Sequence, residues 1–277
     1  MRRLFVPAER WLDARVTVEG DAHRHLARVL RARAGDALIL FDGQGREADA
    51  EVLSVERDRT VLALGAVRRI AVAAGARIVL LQSLARGDRM DWIVQKTTEL
   101  GVASIVPVAA GRSMARLGAD AAGPRRARWE KIAREAARQC GRADVPVIRE
   151  PLPLSEALVV GRQEEGASED GGRAAGAGPA RVRLALWEAS RGRSLVQALV
   201  ALAGSATTPT AAATPTTAGG LCVTLLIGPE GGFAASEMAA AVDAGFEVVG
   251  LGPRILRVET AAVVAVALAQ AATGGLE

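Results

Sequence analysis

The residues best suited to chemistry form a glycine-rich turn in the last quarter of the chain. The run GPEGG at residues 228–232 follows the most hydrophobic strand-like segment, Leu221 to Ile227, and precedes a helical pattern. Backbone N–H and C=O groups in such a turn are not shielded by Cβ atoms, so a ligand can approach them closely at the carboxyl end of a parallel strand. The turn matches neither Walker A nor GxGxxG, which argues against a nucleotide phosphate. This turn alone is consistent with a ligand site or with a simple strand-to-helix connection.

A second turn strengthens the ligand interpretation. Residues 251–257, LGPRILR, follow the next strand-like segment along the chain. We expect the two strands that precede these Gly-Pro turns to be neighbours. One ligand could then contact both turns. Arg257 and Glu259 lie at the start of an otherwise apolar helix, where charged side chains cap the helix or contact a ligand. An ion pair between these two residues is the simpler alternative.

These turns require a parallel sheet to position them, and the sequence predicts one from Ala76 onward. Strand-like and helical segments alternate there, which is typical of a parallel sheet covered by helices. The predicted strands are 78–81, 105–108, 182–187, 221–227 and 246–250, and the predicted helices are 90–100, 128–140, 236–244 (N-capped by Ser236) and 260–272. The fold class of this part of the chain is therefore α/β.

The first part of the chain is predicted to be a small β-rich module. Its strands are expected at 37–41, 48–53 and 61–64, with a DGQG hairpin turn after the first of them. Asp21 is the expected N-cap of one short helix, in which Leu26, Val29 and Leu30 form an apolar stripe. Arg24, Arg28 and Arg31 lie on another face of this helix, which is therefore amphipathic and basic.

Composition places the domain boundary and two insertions. A small-residue stretch around residues 71–75 separates a domain at 1–72 from a domain at 73–277. Residues 161–180 and 203–220 are poor in large apolar residues and rich in Gly, Ala, Pro and Thr, so they are expected to be flexible surface insertions.

Charge indicates a polyanionic partner. The 277 residues carry 35 basic and 31 acidic groups, and Lys96 and Lys131 are the only lysines, so the basic charge is almost entirely arginine. Residues 112–149 contain ten basic and four acidic side chains, a local excess larger than the net charge of +4 for the whole chain. Such a segment suits a phosphate backbone, and a solvated helix face is the alternative.

Several classes of protein are disfavoured. Cys140 and Cys222 form neither a disulfide framework nor a zinc motif. His23 and His25 lack a third ligand nearby, so we expect that they bind no metal and that both lie on the surface. No apolar run reaches about 18 residues, and the first residues do not resemble an export signal. We therefore expect a cytoplasmic protein that makes no membrane contact.

The motifs together resemble the RsmE family of SPOUT-class methyltransferases. The resemblance rests on LLIGPEGGF and LGPRILRVETAA, on SLARGDRMDWIVQKTTELGV, and on HLARVLRARAGD, LFDGQG and WEKIAREAARQCGRADVPVI, in this order along nearly the whole chain. It implies S-adenosyl-L-methionine-dependent methylation of N3 of a specific uridine in 16S ribosomal RNA within the 30S subunit. It also implies a PUA-like RNA-binding domain, a SPOUT-type parallel sheet with a C-terminal trefoil knot, and a homodimer.

The resemblance assigns residues to two binding roles. The cofactor is expected to contact Leu186, Glu188, Gly228, Pro229, Glu230, Gly231, Gly232, Leu251, Gly252, Ile255 and Leu256. The RNA is expected to contact Arg24, Arg28, Arg31, Arg86, Lys96, Arg112, Arg138 and Arg142. Ala110 and Gly111 precede Arg112 where relatives commonly carry an acidic residue, and Ala189 follows Glu188 where a second carboxylate is frequent.

Methyl transfer to uracil N3 is a displacement at a sulfonium methyl group, so positioning does most of the work and no covalent nucleophile is needed. The uracil must lose its N3 proton, to a base or with stabilisation of the resulting anion. Arg257 is the candidate for stabilising the anion, and Glu230 and Glu259 are candidate bases. A non-catalytic RNA-binding or ribosome-assembly factor with the same fold is the alternative, and ribose 2′-O methylation is a third reading.

Overall fold

The computed structural model describes residues 2–11, 14–71, 75–113, 121–166, 180–206 and 221–276. The chain divides into two compact units, one formed by Met1–Val72 with Ala133–Val145 and the other by Ala73–Ile132 with Pro146–Glu277. The sequence assigns the segment 133–145 to the second domain, whereas the structure groups it with the first unit. Backbone hydrogen bonds explain this grouping, because the Gly45 N–H donates to the Ala143 carbonyl (3.2 Å) and the Val145 N–H donates to the Gly43 carbonyl (2.9 Å).

The first unit contains a five-stranded sheet in the order β1-β3-β4-β5-β2. Its strands are β1 (Arg3–Phe5), β2 (Arg15–Glu19), β3 (Ala37–Phe41), β4 (Arg46–Val55) and β5 (Arg59–Arg69). Only the β1–β3 pair is parallel; the other pairs are antiparallel. Buried and exposed residues alternate along β2, as expected for a sheet with one face on a core. That core includes Val16, Val18, Leu38 and Leu62.

The helix of the first unit differs from the expectation. Helix α1 spans only Gly20–Arg24, its N-cap is Glu19 rather than Asp21, and one π-helical turn follows over His25–Val29. The wider π turn shifts the side chains away from the α-helical stripe, so Leu26 is buried whereas Val29 is 67% exposed. The predicted three-residue apolar stripe is therefore wrong at Val29.

The second unit is built on a seven-stranded parallel sheet, as the alternating pattern predicts. The order is β12-β10-β11-β6-β7-β8, and β9 also pairs with β7. These strands are β6 (Arg77–Ser83), β7 (Ser104–Ala109), β8 (Val147–Ile148), β9 (Leu152–Pro153), β10 (Ala180–Leu186), β11 (Leu221–Ile227) and β12 (Glu247–Val249). Strands β6 and β11 are buried at every position after the first, which is typical of a sheet covered on both faces.

Helices cover both faces of this sheet. They are α2 (Arg89–Glu99), α4 (Leu154–Glu164), α5 (Leu195–Ala206), α6 (Ala235–Asp243) and α7 (Val258–Ala272). A further helix, α3 (Ala122–Cys140), begins in this unit and ends in the segment 133–145 that is grouped with the first unit. Helices α4 and α6 pack on one another and on the core that contains Leu81, Leu226 and Met238. Helix α7 packs against β6, β11, α2 and α5. The two turns that carry the candidate site therefore leave the same sheet.

Both predicted insertions begin too early in the sequence. Helix α4 continues to Glu164, and Glu164 and Glu165 are each only 2% exposed. Glu165 accepts hydrogen bonds from Arg183 and from the Thr224 hydroxyl, while Arg149 and Arg77 face Glu164, so these carboxylates are compensated in the interior. Residues 203–206 likewise belong to helix α5, and residue 180 begins β10. The remaining parts, 167–179 and 207–220, lie outside the described residues.

No helix in the described ranges is both long enough and apolar enough to cross a membrane.

Candidate functional site at the carboxyl edge of the parallel sheet

The three turns assigned to the cofactor leave the same edge of the sheet. Strands β12, β10 and β11 are consecutive and parallel, so their carboxyl ends lie side by side. The sequence predicts that the turns after β11 and β12 come from neighbouring strands; this is wrong, because β10 lies between them. The turn after β10, which begins at Trp187, therefore occupies the middle of the row, between the two other turns that the resemblance assigns to the cofactor.

The turn after β11 is closely surrounded by its neighbours. Gly232 adopts φ +65°, in the left-handed region, and a Cβ atom at this position would collide with the Glu188 carboxylate from the β10 turn. A Cβ on Gly231 would lie 3.2 Å from Cβ and 3.3 Å from O of Arg112. A Cβ on Gly228 would lie 3.2 Å from the Phe233 ring. A side chain at any of the three positions would therefore displace a neighbouring group, and at Gly232 it would also strain the backbone.

The turns after β10 and β12 are joined through the backbone. The Trp187 N–H donates to the Val249 carbonyl (3.1 Å), and the Leu195 N–H donates to the Gly250 carbonyl (2.8 Å). Leu186 is buried at the end of β10, whereas Glu188 is exposed. These bonds hold the middle turn against the turn that follows β12.

The turn after β12 presents an open surface. Gly252 has φ +105°, Leu251 and Leu256 are half-buried, and Ile255 is 86% exposed. An isoleucine this exposed leaves a large apolar surface in contact with water. The surface lies beside two other ligand-type turns, so an apolar ligand group would find a partner here.

Glu230 makes a specific set of contacts. Its Oε1 accepts the backbone N–H of Arg86 (2.9 Å) and the guanidinium of Arg89 (2.8 Å). Burial alone would raise the pKa of Glu230, but these hydrogen bonds outweigh it and hold the pKa below its usual value. A carboxylate with a lowered pKa is a weak base, so the surroundings of Glu230 favour a structural role over the predicted role in removing a proton.

Arg257 and Glu259 are not paired with one another. Arg257 is the N-cap residue of α7 and is exposed, and its guanidinium has no partner within the described part of the chain. Glu259 instead faces Arg89, with 3.8 Å between Oε2 and Nε. That Oε2 atom is buried and lacks a hydrogen-bond partner within the described ranges. The alternative of an Arg257–Glu259 ion pair at the start of the helix is therefore not observed.

An open groove of about 840 Å³ lies beside these residues. It is lined by Arg86, Gly87, Asp88, Arg89, Trp92, Glu259 and Thr260. Arg89 and Glu259 thus contribute both to the groove and to the charge network that reaches the β11 turn through Glu230.

The candidate RNA-binding residues fall into two groups. Four of them are exposed: Arg28, Arg31, Arg86 and Arg112. Arg112 lies in the turn after β7, and its guanidinium donates to the Gly231 carbonyl (3.4 Å). The other candidates are exposed or half-buried and carry intramolecular carboxylate partners: Arg24 with Asp21, Lys96 with Glu99, Arg138 with Glu135 and Arg142 with Asp144. The charges of this second group are partly compensated within the fold.

The positive charge of residues 112–149 is also partly neutralised by carboxylates that the fold brings close to it. Arg128 pairs with Asp91, Arg126 with Glu130 and Glu150, and Arg149 with Glu164. Three of these carboxylates lie outside the segment, so counting charges within it overstates the local field. Arg116 lies outside the described residues.

The histidines and cysteines show no site. His23 is buried with Nδ1 2.9 Å from the Thr60 hydroxyl, so the expectation of a surface histidine is wrong here. The pKa of His25 is lowered by burial and by Arg138. Burial raises the pKa of Cys222 to about 11, whereas Cys140 is exposed. The described ranges contain no group of three or more potential metal ligands.

Sequence reasoning missed two charged residues that shape the edge. Arg89 joins Glu230 and Glu259, and its only sequence signal is a charge at the first turn of α2. Glu237 accepts the Gly111 N–H from the β7 turn and the Ala234 N–H at the start of α6, each at 2.8 Å. A glutamate at the third helical position is a known N-terminal signal that could have identified it.

Comparison with known proteins defines the class. The RNA methyltransferase domain family matches residues 73–172 and 177–270, and the RNA methyltransferase PUA domain family matches residues 18–63. The two families cover both units, so the fold and its carboxyl-edge turns are those of an RNA methyltransferase with a PUA domain.

Individual relatives are more specific. The chain is 33% identical over 249 residues to the ribosomal RNA small subunit methyltransferase E of Mycobacterium bovis, covering 90% of this chain and 83% of that protein. It is 28% identical over 245 residues to the Bacillus subtilis protein of the same name, covering 88% and 85%. A crystal structure of the Neisseria gonorrhoeae protein of that name, bound to S-adenosyl methionine, superposes with a TM-score of 0.73 at 28% identity, covering 98% of this chain and 97% of that one. This chain belongs to the ribosomal RNA small subunit methyltransferase E family.

Proposed function

We propose that this protein transfers the methyl group of S-adenosyl-L-methionine to N3 of a specific uridine of 16S ribosomal RNA in the 30S subunit. The observation that carries the proposal is the row of three turns at the carboxyl ends of β12, β10 and β11. The family match and the cofactor in the Neisseria gonorrhoeae structure support it. A non-catalytic assembly factor with the same fold would keep these turns, so cofactor binding and methyl transfer separate the two hypotheses.

The cofactor is assigned to the three turns. The backbone of residues 228–232 and of Leu251 and Gly252 offers N–H and C=O groups to the polar parts of the molecule, and Ile255 and Leu256 offer apolar surface to the adenine. Leu186 is buried at the end of β10 and is assigned to the apolar part of the site. Glu188 lies against Gly232, where its carboxylate can accept hydrogen bonds from the cofactor. When bound, the cofactor supplies an electrophilic methyl group.

Arg257 is the residue best placed to act on the uracil. Its exposed guanidinium has no intramolecular partner among the described residues and lies at the end of the cofactor turn. A guanidinium can stabilise the uracil anion through its carbonyl oxygens without itself exchanging a proton, because it stays charged at neutral pH. This route needs no basic carboxylate, which agrees with the lowered pKa of Glu230.

The remaining assignments concern the RNA and the assembly. The first unit serves as the PUA-like RNA-binding domain, with the exposed Arg28 and Arg31 as its phosphate contacts. Arg86 and Arg112 lie at the edge that holds the cofactor and contact the RNA near the target base. We further propose a trefoil knot in the second domain, a homodimer, and a cytoplasmic location where 30S subunits are found.

Methylation of purified particles tests the function. Small subunits from a strain lacking the gene are incubated with the protein and methyl-labelled S-adenosylmethionine, and the nucleosides are identified by mass spectrometry. We expect one N3-methyluridine per particle. A label on a ribose 2′ oxygen would show a different specificity, and no transfer despite RNA binding would favour the assembly factor. Naked 16S RNA labelled at an equal rate would contradict the assignment of the particle as substrate.

Calorimetry separates an enzyme from an assembly factor without RNA. Wild-type protein is expected to bind S-adenosylmethionine, and Gly231→Val is expected to abolish binding because its side chain would meet Arg112. Absence of heat from the wild type would contradict the assignment of the cofactor.

A further inference from the structure

Among the described residues, Arg89 contacts two carboxylates, one in a candidate cofactor turn and one in the helix that follows another such turn. Its terminal NH1 group donates to Glu230 Oε1 at 2.8 Å, and Glu230 belongs to the turn after β11. Its Nε lies 3.8 Å from Glu259 Oε2, and Glu259 belongs to the first turn of α7, directly after the other cofactor turn. We infer that Arg89 is a positioning residue that ties the β11 turn to the start of α7 and thereby sets the shape of the methyl-donor site.

The charges show why this tie matters. Glu230 and Glu259 are 21% and 18% exposed at their side chains, and both face the same Arg89 guanidinium, so Arg89 separates two partly desolvated carboxylates. Glu259 Oε2 is buried without a hydrogen-bond partner in the described part of the chain, which leaves Arg89 as its charge partner. A single guanidinium can satisfy both carboxylates because its N–H groups point in several directions. Loss of Arg89 would leave two like charges to repel one another across the site.

Arg89 also fixes a third element. It is the first residue of α2, and the backbone N–H of Arg86, in the preceding loop, donates to the same Glu230 oxygen at 2.9 Å. The loop after β6 is therefore held to the β11 turn by two hydrogen bonds on one acceptor atom. Arg89 contacts neither reacting atom of the proposed reaction, so it acts through the residues that it holds.

The inference rests on the proposed function, and its test measures cofactor binding with three variants. We expect Arg89→Met to raise the dissociation constant for S-adenosylmethionine about fivefold, since a partly exposed ion pair contributes about 1 kcal/mol. Arg89→Lys is expected to have a smaller effect, because an ammonium keeps the charge but meets only one carboxylate well. Adding Glu259→Gln to Arg89→Met is expected to restore part of the affinity by removing one of the two like charges.

A control and a pH series distinguish positioning from general stability. Arg162→Met removes the same charge at the opposite edge of the sheet, where Arg162 donates to the Ala244 carbonyl before β12, and should leave binding unchanged. The loss of binding at low pH should move to higher pH in Arg89→Met, because one of the hydrogen bonds that lower the pKa of Glu230 is gone while the backbone hydrogen bonds remain. The charged groups around this turn are Arg86, Arg89, Arg112, Glu188 and Glu259.

The outcomes separate the two proposals. If the wild type binds cofactor and Arg89→Met binds it equally well with the same pH profile, the inference is wrong and the proposed function stands. An equal loss in Arg162→Met, or no rescue by Glu259→Gln, would also overturn the inference. If the wild type itself does not bind, the proposed function fails. Should Arg89→Met not fold, as judged by circular dichroism, Arg89→Lys alone decides, since unchanged affinity and pH profile would then contradict the inference.

Discussion

Replacing Gly232 by alanine probes the cofactor edge at its most constrained residue. Gly232 has φ +65°, and its missing Cβ leaves the space that the Glu188 carboxylate occupies. An L-residue in the left-handed region costs about 1 to 2 kcal/mol, and the side chain of Glu188 must also move. If the cofactor needs the turn in this conformation, that cost weakens binding by about 5- to 30-fold, since 1.4 kcal/mol corresponds to a factor of ten.

The assay is calorimetric titration of S-adenosylmethionine into Gly232→Ala and into a matched control. Gly274→Ala is the control, because Gly274 has φ +80° just after α7 and an added Cβ atom would have no neighbour within 4 Å. Both variants should lose similar stability from the backbone, and only Gly232→Ala should lose affinity. Equal affinity in Gly232→Ala and the wild type would refute the reasoning that the β11 turn and the Glu188 carboxylate form one cofactor surface.

Three further predictions follow from other contacts. Ile255→Ala should weaken cofactor binding about tenfold through lost apolar contact while leaving the melting temperature unchanged, because the side chain is 86% exposed without ligand; a lower melting temperature would contradict this. Glu165→Ala should destabilise the protein by about 3 kcal/mol in urea titration, because it leaves the partly exposed Arg183 without its buried partner. Burial raises the pKa of Glu165, but the hydrogen bonds from Arg183 and Thr224 outweigh burial and leave the pKa below its usual value. This stabilisation is therefore present above the unfolded-state pKa and is lost as the pH falls through the lower folded-state pKa, so Glu165→Gln should flatten the acid side of the stability curve. Iodoacetamide at pH 8 should modify Cys140 alone in folded protein, because the pKa of Cys222 is about 11, and mass spectrometry showing two additions would contradict the buried thiol.

The parallel sheet could be predicted because its strands are buried on both faces and therefore read as continuous apolar runs. Leu221–Ile227 is predicted with the bounds that the structure gives to β11. The order of the strands could not be predicted, because periodicity does not reveal which strand lies between two others. This is why β10 and its turn were not expected between β11 and β12.

The charge network was also beyond sequence reasoning. Arg89 and Glu230 are 141 residues apart, and the pairing of Arg128 with Asp91 spans 37 residues. A local count of charges therefore overstates how much of the basic segment is free to contact RNA. The buried Glu164 and Glu165 were misread as insertion for the same reason, since their partners come from distant strands.

Hydrogen exchange of backbone amides with and without S-adenosylmethionine tests the central claim most directly. Peptides covering residues 186–190, 228–233 and 250–257 should all exchange more slowly when cofactor is added, because three strand ends hold one molecule. Peptides from 14–71 should be unchanged. Protection of only one of the three turns, or protection confined to the first unit, would contradict the shared cofactor site.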